Sequence, residues 1–87
     1  MDINQKEKIL KLLASKKRLQ ILHYLKEVEQ ASVWQISRQL KTQFKSISNH
    51  LAKLRAVDIV VTKRVKLEIY YSLFKPMNPL VKYVLSL

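Results

Sequence analysis

The residues best suited to chemistry are short polar and cationic side chains near the middle of the chain. Helical spacing places them on the outward side of one predicted helix, and no carboxylate lies among them. Their hydroxyl and amide groups can hydrogen-bond to base edges in the major groove of duplex DNA, and lysines attract its phosphates. A second cationic cluster follows in a predicted hairpin. The predicted DNA-binding residues are Gln43, Lys45, Ser46, Ser48, Asn49, Lys53, Lys63, Arg64 and Lys66.

The charge of the chain is strongly positive. Its 87 residues include 17 lysines and arginines against 6 aspartates and glutamates, for a net charge of +11. Such a balance is typical of nucleic-acid-binding proteins, although a solubilising surface or a thermophile's composition is the alternative interpretation. From Gln43 to Lys66, six basic residues stand against one acidic residue, Asp58. This concentration favours a nucleic-acid partner over general solubility.

The composition excludes several classes of function. The chain has no cysteine and no glycine, which removes thiolate metal sites, disulfides and glycine-rich phosphate loops. The spacing shows neither paired carboxylates nor a serine, histidine and acid arrangement, so we expect no enzyme, no cofactor and no metal. No segment resembles a signal peptide or is apolar enough to cross a membrane, so we expect a cytoplasmic protein without a membrane partner.

Four helices are predicted in the first two thirds of the chain. They cover Ile3 to Ala14, Lys17 to Val28, Ser32 to about Lys41, and Thr42 or Gln43 to about Ala56. Ser15 is a good N-cap for the second helix, and Ser32 with Gln35 forms a capping-box pattern at the third. The fourth helix has Phe44 near its inward face. The inward positions of that helix are Ile47, Leu51 and Leu54.

A hairpin and a final helix complete the predicted order. Asp58 is expected to end the fourth helix in a left-handed conformation, a role that glycine usually fills. Alternating residues predict strands over Ile59–Lys63 and Leu67–Leu73. The turn between them, at residues 64–66, lacks glycine, so we expect a longer or irregular loop in place of a two-residue type I′ turn. Asn78 and Pro79 then open a helix that is almost entirely apolar.

These elements predict a mainly α (α+β) winged helix-turn-helix, in the order α-α-α-α-β-β-α. We expect residues 1–87 to form a single domain, with the helix-turn-helix at 32–56 and the wing hairpin at 59–73. The terminal segments 1–14 and 78–87 carry surplus apolar surface, which a stable monomer would not expose. We expect them to form the contact surface of a homodimer.

Three segments resemble the ArsR family of winged helix repressors. The family's opening segment is similar to the run Leu12-Leu13-Ala14-Ser15-Lys16-Lys17-Arg18-Leu19-Gln20-Ile21-Leu22. The family's recognition helix is similar to the run Ile47-Ser48-Asn49-His50-Leu51-Ala52-Lys53-Leu54. The segment from Val60 through Tyr70-Tyr71-Ser72-Leu73 resembles its wing. The resemblance implies a sequence-specific regulator of transcription that binds double-stranded DNA, acts as a repressor, and forms a homodimer through its first and last helices.

The sequence departs from this family in three places. Metal-sensing members carry a Cys-x-Cys pattern where this chain has Ser32 and Trp34. Other members hold metals with acids and histidines on the last helix, and no Asp, Glu or His lies between residues 74 and 87. We therefore expect a regulator that does not sense metals. Third, Asp58 and Lys66 stand where the family has glycine, which leaves the shape of the wing open.

Two side chains and the basic surface each have a second possible role. His50 is predicted to pack at the edge of the core or to hydrogen-bond across the domain, with a DNA contact as the alternative. Trp34 is predicted to pack against a neighbouring helix, with a partner or ligand surface as the alternative. For the whole chain, the alternative function is a winged helix interaction module that docks an acidic protein.

Overall fold

The computed structural model of the protein describes all 87 residues as five helices and a three-stranded antiparallel sheet. The helices are α1 (Ile3–Leu13), α2 (Lys16–Val28), α3 (Val33–Leu40), α4 (Phe44–Ala56) and α5 (Pro79–Ser86). The strands are β1 (Ala31–Ser32), β2 (Val60–Val65) and β3 (Glu68–Leu73), and β3 lies in the centre of the sheet. The mainly α (α+β) class is confirmed. The predicted order is wrong in one respect, because it omits β1.

The helix starts follow from local capping. Ser15 accepts a hydrogen bond from the Arg18 amide, and the Ser32 hydroxyl accepts one from the Gln35 amide. The Gln35 side chain in turn accepts from the Ser32 amide at 2.8 Å, which completes the predicted capping box. Gln43, by contrast, caps α4 without any side-chain hydrogen bond. The starts of α2 and α3 are therefore encoded by short-range polar pairs, and the start of α4 is not.

The core is formed by one face of each helix together with the inner residues of the hairpin. Its fully buried side chains are Ile21, Leu22, Leu25, Ile36, Ile47, Leu51, Leu54, Val60 and Val81. The three inward positions predicted on α4 are confirmed. Phe44 was expected near the same face, but it is 39% exposed and instead packs its ring 4.6 Å from the Trp34 ring of α3. Trp34 therefore contacts the neighbouring helix α4, as predicted, and 61% of it stays exposed.

The hairpin is tighter than its sequence predicts. The strands pair from Val60 with Leu73 to Val65 with Glu68, which leaves a two-residue turn. The expected longer loop is therefore wrong. Lys66 takes the positive φ of 58° that glycine usually supplies in such a turn, and Asp58 has the same φ, as predicted for that residue.

The short strand β1 ties α3 to the hairpin. Ala31 pairs with Tyr71 and Ser32 pairs with Tyr70, so the start of α3 is fixed to the central strand of the sheet. Two residues are too few to produce an alternating pattern, which is why the sequence did not predict this strand. None of the five helices is both long and apolar enough to span a membrane.

Candidate nucleic-acid interface

The connection between α3 and α4 is a three-residue turn held by hydrogen bonds. Lys41 adopts the left-handed conformation at φ 50°, and the Thr42 amide donates to the Ser37 carbonyl at 3.0 Å. The Ser37 hydroxyl donates back to the Thr42 carbonyl, while the Thr42 hydroxyl donates to the Leu40 carbonyl at 3.0 Å. Two of these bonds are accepted by the Ser37 and Leu40 carbonyls, which belong to the last turn of α3. They fix the angle at which α4 leaves α3.

A lysine from α2 joins this turn from outside. The Lys17 ammonium donates a hydrogen bond of 2.7 Å to the Thr42 hydroxyl. Lys17 lies in the first turn of α2, so this contact links the start of α2 to the start of α4. Neither Lys17 nor Thr42 is among the residues predicted to be functional, because the two residues are 25 positions apart and share no pattern.

The exposed face of α4 carries part of the predicted residue set. Lys45, Asn49 and Lys53 are exposed, and Ala52 among them adds no bulk. With 3.6 residues per turn, these positions lie opposite the buried stripe of α4. The exposed face has no acidic side chain, so nothing on it repels a phosphate. Gln43, at the N-cap of α4, is also exposed.

The two serines of α4 lie elsewhere on the helix. Ser46 and Ser48 are half-buried, and their separation of two residues places them on opposite flanks of the exposed face. The structure therefore does not bring both hydroxyls to the centre of one surface. Asn49 is the hydrogen-bonding side chain at that centre, and two lysines stand beside it.

His50 and Arg18 connect α4 to α1 and α2. One guanidinium nitrogen of Arg18 lies 3.3 Å from His50 Nδ1, and Arg18 Nε donates to the Leu12 carbonyl of α1 at 2.7 Å. Because arginine has no acceptor, His50 Nδ1 is the acceptor and its ring is neutral in this arrangement. The prediction that His50 hydrogen-bonds across the domain is confirmed.

The environment of His50 favours this neutral form. Burial lowers its pKa from the usual 6.5, and the positive charges of Arg18, Lys53 and Lys17 lower it further. A protonated ring would lose its acceptor atom and face three cations. The neutral ring therefore helps to hold α4 in position.

The three cationic residues of the hairpin are all exposed. Lys63 and Arg64 are neighbours on β2, so their side chains leave opposite faces of the hairpin, and Lys66 lies in the turn. None of them forms an ion pair, since the one ion pair of the molecule joins Lys11 and Glu7 at 3.9 Å on α1. Their charge is therefore available to an anionic partner.

Comparison with known proteins places this arrangement in a family. Residues 15–62 match the family model described as bacterial regulatory protein, arsR family. The chain belongs to the ArsR family. The matched range runs from the N-cap of α2 to the middle of β2, so it includes the α3–α4 turn and the exposed face of α4.

Individual ArsR-family proteins resemble the chain over nearly its whole length. The transcriptional repressor PagR of Bacillus anthracis is 33% identical over 87 residues, covering all of this chain and 84% of PagR. The PagR crystal structure has a TM-score of 0.81, with 97% of this chain and 92% of that chain covered. HlyU from Vibrio cholerae is 30% identical with a TM-score of 0.81, covering 95% of this chain and 83% of that chain.

A more distant structure shares the winged helix fold. It is the homodimeric winged helix-turn-helix DNA-binding domain Mb0332 from Mycobacterium bovis, 24% identical, with a TM-score of 0.80. It covers 97% of this chain and 74% of that chain. Fold and family together establish the chain as a DNA-binding transcriptional regulator of the ArsR family and not an enzyme.

Proposed function

We propose that this ArsR-family protein is a sequence-specific repressor that binds double-stranded DNA as a homodimer. The observation that carries the proposal is the exposed face of α4, which offers Lys45, Asn49 and Lys53 and no acid. An α-helix fits the major groove, and asparagine can pair with adenine through two hydrogen bonds there. Asn49 reads the base edge in this proposal, and the two lysines neutralise phosphates.

The remaining predicted contacts have supporting positions. Gln43 lies at the α4 N-terminus, where contacts with the sugar–phosphate backbone are common. Lys63, Arg64 and Lys66 extend the positive surface along the hairpin. Ser46 and Ser48, being half-buried on the flanks, act as secondary contacts. The helix-turn-helix of residues 32–56 and the hairpin of residues 59–73 thus work as one binding unit within a single domain.

The dimer forms through α1 and α5. Ile3 is 75% exposed and Leu10 48% exposed on α1, while Tyr83 is 66% and Leu87 82% exposed on α5. The start of α1 lies beside the start of α5, because the Asn78 amide contacts the Met1 sulfur at 3.3 Å. Two neighbouring helices with exposed apolar faces are suited to a second copy of the chain. A dimer would bring two α4 helices to successive major grooves.

Repression in this proposal is steric and does not depend on a metal ion. Serine and tryptophan do not serve as zinc ligands, and they occupy the positions of the family's Cys-x-Cys pattern. The Ser32 hydroxyl is moreover engaged as the N-cap of α3. The dimer would cover a promoter and block access to it. Such a protein works at the chromosome, so the proposal places it in the cytoplasm of a bacterial cell.

The test compares two lysine variants in binding to a random-sequence duplex. Lys45→Ala should weaken binding and reduce the slope of log affinity against log salt by about 1 for each protomer bound. Lys75→Ala is the matched control, an exposed lysine in the segment between β3 and α5, and it should change neither quantity. Equal effects of the two substitutions would refute the assignment of α4 to the DNA contact.

Base reading needs a second measurement, made once a preferred sequence has been selected from a random pool. Asn49→Ala should lower the preference for that sequence by about 1–3 kcal/mol while leaving binding to random DNA nearly unchanged. An unchanged preference would mean that Asn49 does not read a base.

A further inference from the structure

The tip of the hairpin carries an apolar side chain that the fold does not explain. Leu67 is 91% exposed, which is the highest exposure among the large apolar residues of the chain. It occupies the second position of the two-residue turn, after Lys66, which is the turn residue with the positive φ. Because it buries almost no surface, Leu67 contributes little to the stability of the folded chain. The whole side chain is therefore available to a partner at the tip.

Leu67 lines a shallow pocket with the partly exposed residues Ile69, Trp34 and Phe44, and the charged residues near it favour an anionic partner. Lys66 precedes it in the turn, and Arg64 and Lys63 lie further back along β2, all exposed and outside any ion pair. The one acid nearby, Glu68, accepts a hydrogen bond from the Tyr70 hydroxyl at 3.0 Å. The net charge of +11 of the whole chain likewise favours a polyanion such as DNA.

The dimensions of the hairpin fit the DNA minor groove. Paired strands lie about 4.8 Å apart, and the minor groove is about 6 Å wide, so only side chains of the turn can enter it. Proteins that bind in this groove insert apolar side chains, leucine included, between base steps and kink the duplex. An apolar tip between cations has the composition of such a wedge, because the cations hold the phosphates on both sides.

We propose that Leu67 is a wedge that inserts between base steps of the minor groove when the protein binds duplex DNA. The proposal rests on the proposed DNA-binding function and adds a sequence preference to it. Pyrimidine–purine steps such as TA unstack most easily, so the hairpin favours sites with such a step under its tip. Base reading by α4 and kinking by Leu67 then select different positions of one site.

The experiment uses the full chain and two duplexes that differ only in a central AAAATTTT or TTTTAAAA block. The blocks have the same composition, but only the second contains a TA step. A separate sample of that duplex, used for fluorescence only, has 2-aminopurine in place of the adenine of the step. Affinity is measured by anisotropy for wild type, Leu67→Ala, Leu67→Met and Lys45→Ala. Wild type should bind the TA duplex more tightly and raise the 2-aminopurine fluorescence, which reports unstacking.

Leu67→Ala should lose about tenfold in affinity for the TA duplex, together with the fluorescence rise, and keep the salt slope of wild type, because no phosphate contact is removed. Leu67→Met, which keeps an apolar side chain, should retain both. The thermal unfolding midpoint of Leu67→Ala should equal that of wild type, because the residue is exposed.

Three results would overturn the wedge. In the first, Leu67→Ala binds within about twofold of wild type and keeps the fluorescence rise, while Lys45→Ala still weakens binding. The protein then binds DNA without using Leu67 as a wedge. The second is no duplex binding by wild type, which removes the proposed function itself. The third is a Leu67→Ala defect confined to phosphatidylglycerol vesicles, which assigns the tip to a membrane surface.

Discussion

Thr42 is the residue on which the α3–α4 turn depends, and replacing it with valine tests that dependence. Valine has nearly the same shape, so Thr42→Val removes the hydroxyl and little else. The hydroxyl donates to the Leu40 carbonyl at 3.0 Å and accepts from the Lys17 ammonium at 2.7 Å. Both bonds are lost in the variant, and the Leu40 carbonyl is left without this donor.

The expected cost follows from these two bonds. A hydrogen bond contributes about 0.5–1.5 kcal/mol net, and the partial exposure of Lys17 keeps its bond within that range. The sum is about 2 kcal/mol, against a total of about 4–13 kcal/mol for a domain of this length. The unfolding midpoint should fall by about 8–16 °C, at 4–8 °C for each kcal/mol.

The free energy is measured by urea unfolding and the midpoint by thermal unfolding, both at one fixed protein concentration, with Thr62→Val as the control. Thr62 is a half-buried threonine of β2 that lies far from the α3–α4 turn in the sequence, so its replacement should change the free energy of unfolding by less than about 0.5 kcal/mol. A double-mutant cycle with Lys17→Met isolates the Lys17–Thr42 bond. If Thr42→Val is as stable as Thr62→Val, the turn is not held by this hydroxyl and the reasoning is wrong.

Three further predictions concern His50, the core and the dimer. Folding lowers the pKa of His50 below 6.5. The contribution of His50 to the free energy of unfolding should therefore be fully present above pH 6.5, and it should be lost as the pH falls through the folded-state pKa. Urea unfolding across this range should show the decline, and His50→Gln should reduce it; an undiminished decline would exclude His50. Leu51→Ala should cost about 2–5 kcal/mol in the same assay, because Leu51 is fully buried, whereas Ala52→Ser should cost under about 0.5 kcal/mol. Leu10→Glu should make the protein sediment as a monomer while wild type sediments as a dimer, and a Leu10→Glu dimer would contradict the α1 interface.

Local patterns were enough to predict much of the fold. The spacing of Ile47, Leu51 and Leu54 identified the buried face of α4, and Ser32 with Gln35 located the start of α3. These signals work because each arises within one or two turns of a helix.

Features that depend on distant contacts could not be predicted in this way. The Arg18–His50 bond joins residues 32 positions apart, and the two residues of β1 are recognised only by their pairing with β3. The turn at Lys66 was misjudged because lysine rarely takes a positive φ, although the paired strands hold it there. Ser46 and Ser48 were placed on one binding face because the sequence does not show how far the flanks of α4 are covered.

The central claim is that the exposed face of α4 and the cationic hairpin bind duplex DNA. The most direct test is a titration of wild-type protein with a random-sequence duplex at about 50 mM and about 200 mM salt. Each protomer has five proposed cationic contacts, so a dimer has ten; they are Lys45, Lys53, Lys63, Arg64 and Lys66. A protein that makes 6–10 phosphate contacts should lose about 10³–10⁵ in affinity between these two salt concentrations. No binding at the lower salt concentration, or an affinity that does not change with salt, would contradict the account.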